Sequence, residues 1–535
     1  MKSLKIIALN IITISMLLSC GSASVISTPI ENIDNTPVKF NELTPEEESV
    51  WVHLDLIKDT IPGMSINKAY DEIIKGRKGE TIIVAVIDSG VDINHEDLDG
   101  VIWINKDEIA NNGKDDDNNG YIDDRHGWNF LGNTYNEQLE YVRLLVSGNT
   151  NDPNYARAQQ EYISESQKYN GLKSHYNQLL SQIKESDKAV SQYLKKPDYT
   201  MEEVYAIKTE NQTLLQHVSM IKQTYRFGLG SVKETIATLD KDLIKINEFV
   251  KYHLNKSFKG RKTGDDPNDF SQKSYGNGNV KPLQKKESHG THVSGIIAAN
   301  RNNGKGMNGV ANNVKIMPIR TVPNGDEYDK DVALAIRYAV DNGAKIINMS
   351  FGKYYSPHND WVKDAIVYAS KNDVLIITGA GNDRFDLDKK MNFPSDHNQN
   401  LEEFSNTFLS VGATGQKYGS NLVADYSNYG KTTVDVFAPG NKIYSTFPEN
   451  NYESINGTSM AAPAVAGVAA LIRSQFPNLT ATQVKQIIMD SGLPINTKVV
   501  VGKGGNIRPF ADLSKSGKLV NAYNALILAR KLSSL

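Results

Sequence analysis

Three short segments of this 535-residue chain carry side chains suited to nucleophilic chemistry. In Ala85-Val-Ile-Asp88-Ser-Gly90 a carboxylate closes an apolar, β-branched run, and functional groups of open α/β sheets gather at the carboxyl ends of strands. Taken alone, Asp88 reads equally well as a helix cap or a turn residue. Ser288-His289-Gly-Thr-His292-Val-Ser-Gly295 sets an imidazole at the start of a small-residue helix, where it can approach another strand end closely. A structural His or a metal-binding His pair is the alternative, although no third His or matching carboxylate accompanies the pair. Asn456-Gly-Thr-Ser459-Met-Ala-Ala-Pro463 puts a hydroxyl at the start of an Ala- and Gly-rich helix. The free N–H groups and partial positive charge of a helix start suit an oxygen on which negative charge develops. Alone, this segment also reads as a capped core helix, with Pro463 expected in the first turn, where its missing donor costs little.

The elements that must position these groups follow from periodicity. The continuous run Thr81–Ile87 predicts a strand buried on both faces. From about residue 288 to 529 apolar strands alternate with amphipathic helices: strands at 314–319, 345–349 and 374–378, helices at 331–341 and 360–370. That alternation implies βαβ units and an α/β fold with a doubly wound, mostly parallel sheet. Residues 133–285 have a different character. Leu172, Tyr176, Leu179, Leu180 and Ile183 recur at helical steps in a Gln-, Lys- and Glu-rich stretch, which predicts an inserted α-helical hairpin or small bundle. Thr200 and Glu203 stand in capping-box spacing. The organisation expected is a leader at 1–20, a flexible tether at 21–49, one α/β domain from 50–132 and 286–535, and the helical insertion at 133–285.

Together the three segments, in the chain order Asp, His, Ser, resemble the subtilisin-like serine peptidases over about residues 50–130 and 286–530. The resemblance implies a serine endopeptidase with Ser459 as nucleophile, His289 as general base and then acid, and Asp88 orienting the imidazole. A serine hydroxyl is a weak nucleophile that needs such a base, and an imidazole has the pKa for that task. Spacing does not choose between His289 and His292; the family pattern assigns the first. It further implies an oxyanion donor in Asn382, a specificity pocket walled by Ser350, Phe351 and Gly352 and by Gly379, Ala380 and Gly381, and a substrate-pairing strand at Arg320–Gly325. An α/β-hydrolase esterase is disfavoured, since that class expects Gly-x-Ser-x-Gly and places its nucleophile first.

Between Asn112 and Asp124 oxygen ligands alternate. Asp115, Asp117, Asn119, the Tyr121 carbonyl and Asp123 mirror the first nine positions of an EF-hand-like loop, with His126 where the last Glu would stand. A structural Ca²⁺ is therefore expected, and the family resemblance adds a second calcium position at Asp97 and Asn303. The basic start, the apolar run Ile6–Leu18 and Leu17-Leu-Ser-Cys20 form an export signal resembling a bacterial lipoprotein box. An ordinary cleaved signal with an incidental cysteine is the alternative. Fatty acylation at Cys20 would hold the protein on the cell envelope membrane. Cys20 is the one cysteine of the chain, so no intrachain disulfide can form. A net charge of −3 argues against nucleic acid as a partner. The expected partners are protein or peptide substrates, with a further protein possible on the helical insertion.

Overall fold

The computed structural model describes residues 28–31, 33, 39, 41–228 and 230–534. The expected leader at 1–20 and its Cys20 lie outside these residues.

The β-branched runs become the centre of a sheet. In chain order the strands are β1 (Ile82–Asp88), β2 (Trp128–Asn129), β3 (Val314–Arg320), β4 (Ile346–Met349), β5 (Leu375–Gly379), β6 (Phe408–Thr414) and β7 (Val436–Pro439). They are followed by β8 (Ile443–Phe447), β9 (Asn451–Ile455), β10 (Leu493–Pro494), β11 (Lys498–Val501), β12 (Asn506–Pro509) and β13 (Lys518–Leu519). Nine of them form one sheet in the order β10-β13-β7-β6-β5-β4-β1-β3-β2. Its pairs are parallel except β10 with β13. β1 lies between β3 and β4, in register Asp88 with Arg320 and Ile87 with Met349. The sheet therefore winds in both directions from β1, and a crevice opens at its carboxyl end. The expected doubly wound α/β fold is the one formed.

Helices are α1 (Pro45–Val50), α2 (Ile66–Ala69), α3 (Glu140–Ser147), α4 (Tyr155–Leu194), α5 (Met201–Ala206), α6 (Gln212–Tyr225), α7 (Val232–Glu248), α8 (His289–Ala298), α9 (Asp329–Asp341), α10 (Asn359–Lys371), α11 (Thr458–Gln475), α12 (Ala481–Ser491) and α13 (Ala522–Ser533). α8 and α11 are built from small residues and lie within the core on one face of the sheet, where Val293, Ile297, Val465 and Val468 meet Val84, Val86 and Ile346. α9 and α10 cover the other face through Val332, Ile336, Val362 and Ile366.

The helical middle is real secondary structure. α4 runs for 40 residues and packs its Ile183 and Val190 against Val218, Ile221 and Val232 of α6 and α7. The capping box of Thr200 and Glu203 opens α5. Two features depart from expectation. Pro463 is the sixth residue of α11 rather than part of its first turn. The stretch expected as a free tether also docks in part: Ile33 is buried in an apolar cluster. The main chain of Ile30 is bracketed by Asn524, which accepts at 2.7 Å and donates at 3.1 Å. Apolar burial and a two-point amide contact outweigh the polar composition around them. Among the described residues no helix is long and apolar enough to cross a membrane.

Candidate active site

Asp88 ends β1 with its carboxylate buried, 1% exposed. His289 opens α8, and its Nδ1 lies 2.8 and 3.0 Å from the two Asp88 oxygens. The close approach depends on Gly290: a Cβ there would stand 2.3 Å from the Gly90 carbonyl and 3.2 Å from the Asp88 Cβ. Only glycine lets helix and strand end meet at this distance. Burial opposes charge on His289, but the Asp88 carboxylate and its hydrogen bond outweigh burial and raise the imidazole pKa above its ordinary value. His292 sits apart. Its Nε2 lies 3.0 and 3.1 Å from the carbonyls of Ile443 and Glu453, and burial together with the neighbouring His289 holds its pKa down at about 3. A neutral imidazole donating into the β8–β9 hairpin explains those contacts.

Ser459 is the second residue of α11. Its hydroxyl donates to the Ser350 carbonyl at 2.9 Å, and the Ser350 hydroxyl donates back to the Ser459 carbonyl at 2.8 Å. Pro463 gives that second bond its reason. Without an N–H, Pro463 cannot serve the carbonyl four residues earlier, and Ser350 does so instead. Asn348 in turn donates to the Ser350 hydroxyl at 2.9 Å. The Ser459 hydroxyl thus faces Ser350 rather than the imidazole, and reaching His289 requires a change of rotamer.

Asn382 is oriented by its neighbour. Its Oδ1 accepts from the Thr458 amide at 2.9 Å and the Thr458 hydroxyl at 3.1 Å. Among the described residues its NH₂ has no protein acceptor, and the side chain lines a 150 Å³ cavity with Ser459, Phe351, Gly352, Gly379 and Gly381. Ala380 is buried behind that wall. A second cavity of 260 Å³, lined by Asp88, His289, Val322 and Asn324, meets the first at Ser350. Ser459, His289 and the Asn382 amide therefore border one continuous surface.

Sequence reasoning missed several residues here. Tyr354, Asp383 and Asn392 also line the smaller cavity. The Tyr354 hydroxyl donates to Asp383 at 2.5 Å. Buried Asn428 accepts from the amides of Asp383 and Phe385 and donates to the Ala380 carbonyl, holding the wall. Arg320, fully buried at the end of β3, reaches the carbonyls of Ser89 and Thr134 at 3.0 and 2.8 Å and pairs with Glu287. It fastens the residues flanking Asp88 and His289 to one another. The segment expected to pair with substrate is largely engaged already. The amides of Thr321 and Val322 donate to the Asp88 carbonyl, and Asn324 exchanges hydrogen bonds with Tyr135 and Glu137.

Two oxygen-rich places have the chemistry to attract a cation. Asp97 and Asn303 do meet, with the Asn303 amide donating to Asp97 at 2.6 Å. In the acidic loop the grouping differs from an EF-hand. Asp115 caps the amides of Asn119 and Gly120, and Asp123 caps those of Asn112 and Gly113. The Asn119 side-chain oxygen accepts from the Tyr121 amide. Asp117 instead converges with Glu108 and Asp124. Glu108 and Asp124 are buried, and Glu108 Oε2 has no hydrogen-bond partner. Burial raises the pKa of both carboxyls. Two buried carboxyls beside half-buried Asp117, with an orphaned oxygen on Glu108 and the Asn105 and Asn119 amides donating to Asp117 and Asp124, fit a hard divalent cation.

The model of the Subtilase family matches residues 230–512, more than half of the chain; Asp88 precedes the matched stretch. Subtilisin DY of Bacillus licheniformis is 35% identical over 218 residues, 40% of this chain and 74% of that protein. The thermophilic serine proteinase of Bacillus sp. (strain AK1) is 37% identical over 223 residues, 42% of this chain and 51% of that protein. The cell wall-associated protease of Bacillus subtilis (strain 168) is 37% identical over 217 residues, 40% of this chain and 22% of that protein. The chain thus spans between a fifth and three quarters of these relatives.

Proposed function

The chain belongs to the subtilase family, and from that premise we propose that it is an exported serine endopeptidase with an Asp88–His289–Ser459 triad. One observation carries the reading: a strand-end carboxylate holds the imidazole of His289 at 2.8 Å, on the surface shared with a helix-start serine. In the reaction the Ser459 hydroxyl turns from the Ser350 carbonyl to His289 Nε2 and gives up its proton as it attacks the peptide carbonyl. Asp88 keeps the Nδ1 proton in place and stabilises the imidazolium. The oxygen that becomes negative lies between the free NH₂ of Asn382 and the first amides of α11. His289 then protonates the leaving amine, and water reverses the sequence on the acyl-enzyme.

The side chain on the acyl side of the cleaved bond enters the 150 Å³ cavity walled by residues 350–352 and 379–381. The Glu108–Asp117–Asp124 cluster, and Asp97 with Asn303, would hold structural Ca²⁺. Such an ion neutralises buried carboxylates beneath β2 and takes no part in proton transfer. Cys20 would anchor the protein to the cell envelope by acylation, in keeping with relatives whose names place one at the cell wall. The helical stretch is the natural seat for a partner protein.

The decisive test is covalent labelling with a fluorophosphonate, alongside mass-spectrometric mapping of cleavage in a peptide library. Wild type is expected to label and cleave, and Ser459→Ala to do neither. A wild type that is folded but stays unlabelled overturns the reading.

A further inference from the structure

We propose that the helical segment builds the outer wall of the specificity pocket, with Arg157 and Glu161 of α4 as positioning residues that keep cationic side chains out. This rests on the peptidase reading above. The wall Ser350-Phe351-Gly352 continues directly into Lys353, Tyr354 and Tyr355, and each of these three is fastened to the helical segment. Buried Lys353 pairs with Glu140 of α3 at 2.6 Å, and with Asp329 at 2.9 Å. The Tyr354 carbonyl accepts from the Arg157 guanidinium at 2.6 Å. The Tyr355 hydroxyl donates to Glu161 at 2.7 Å, while Arg157 lies over its ring, 4.1 Å from the centroid.

Tyr355 is also the one catalytic-side residue buried in an apolar cluster otherwise supplied by the helical segment, among Tyr141, Val142, Leu145, Ala158 and Leu254. The wall of the pocket is therefore part of the insertion's own core. A side chain locked in a packed cluster has few alternative positions, so α3 and α4 hold the wall at 354–355, next to Lys353, whose backbone is bridged to Phe393.

The consequence falls on Asp383. Exposed Asp383 lines the cavity, and one oxygen of its carboxylate accepts the Tyr354 hydroxyl, which itself accepts from Asn428 at 3.2 Å, while Lys390 lies over the Tyr354 ring at 4.3 Å. Held in this position, Tyr354 engages one oxygen of the acid that a Lys or Arg side chain in the pocket would seek and competes with it there. Released, it swings away and leaves Asp383 open to a cation. The helical segment thereby sets side-chain selection without touching the reacting atoms.

The test compares the residues found on the acyl side of cleaved bonds in one peptide library, for wild type, Arg157→Ala, Tyr355→Phe and Glu161→Gln. The share of Lys and Arg relative to Leu and Phe is expected to rise about fivefold in Arg157→Ala and Tyr355→Phe, the scale of one partly solvated ion pair. Glu161→Gln keeps an acceptor for the Tyr355 hydroxyl and should retain the wild-type profile. The rate of fluorophosphonate labelling should stay within about twofold throughout. An unchanged profile in both variants, with Tm lowered, would reduce these contacts to simple fastening and overturn the proposal. Should Arg157→Ala fail to fold, Tyr355→Phe decides alone, because it removes a single oxygen and leaves the ring in place. A folded wild type that neither labels nor cleaves removes the peptidase reading itself, and this proposal with it.

Discussion

At the scale of single residues, the Asp88–His289 contact has consequences in opposite directions for activity and stability. A base must be neutral to take the Ser459 proton. The raised His289 pKa therefore moves the acid limb of kcat/KM above the ordinary His value of about 6.5. Asp88→Asn removes the charge that raises it, so a pH–rate profile should show the limb at lower pH and kcat reduced about 10⁴-fold. For folding the sign reverses. The protonated form is favoured in the fold, so its stabilisation is full below the ordinary pKa and fades as pH rises through the folded value. Asn382→Ala leaves the triad intact but removes the free NH₂. A loss of about 10²–10³ in kcat with little change in KM is expected, a range whose reference measurement comes from this same family. An equal loss through KM alone would assign Asn382 to ground-state binding.

Elements enter where backbones have to touch. Gly290 lets α8 meet the end of β1, and Gly290→Ala would press a Cβ into the Gly90 carbonyl at 2.3 Å. Steady-state kinetics should show kcat falling at least about tenfold, because a small displacement of His289 spoils the proton transfer. Between α3 and the loop before α10 the binding is ionic. Burial raises the Glu140 carboxyl pKa, but Arg143 and Lys353 overcome it and depress it to about 2. A depressed carboxyl stabilises the fold above its unfolded pKa and loses that contribution as pH falls toward 2. Glu140→Gln leaves Lys353 with one fewer buried partner, and denaturant unfolding near neutral pH should report a loss of about 3–5 kcal/mol. The same variant should show a weaker dependence of stability on acid.

For the molecule as a whole, the acidic region before β2 joins electrostatics to stability. With Glu108 and Asp124 buried beside Asp117, three carboxyl groups lie close, and no salt bridge to them is formed among the described residues; Arg125 donates to the Glu108 main-chain carbonyl instead. Chelation should lower Tm, and added Ca²⁺ should restore it by mass action. Glu108→Gln should weaken that response without altering the labelling of Ser459. If thermal unfolding is indifferent to chelator and to Ca²⁺, the cluster holds no ion.

Local patterns in this chain carried most of the architecture. Runs such as Thr81–Ile87 are buried on both faces of a parallel sheet, so their apolar content is legible without knowing any neighbour. Asp88, His289, Ser459 and Asn382, the residues of the proposed reaction, were singled out the same way, each beside the end of a strand or the start of a helix. What remained hidden depends on meetings between distant parts of the chain. Asp124 rather than Asp123 joins Asp117, because Asp123 adopts a positive φ and turns its carboxylate onto the amides of residues 112 and 113. Tyr354, Asp383, Asn428 and Arg320 reach the site across 29 to 231 residues of sequence. Spacing records period along one element, whereas the direction of a side chain across a crevice is set by packing between elements. The family could be read from the chain alone, but the contact between the helical segment and residues 353–355 exists only once Tyr355 is buried in a core it does not share by sequence.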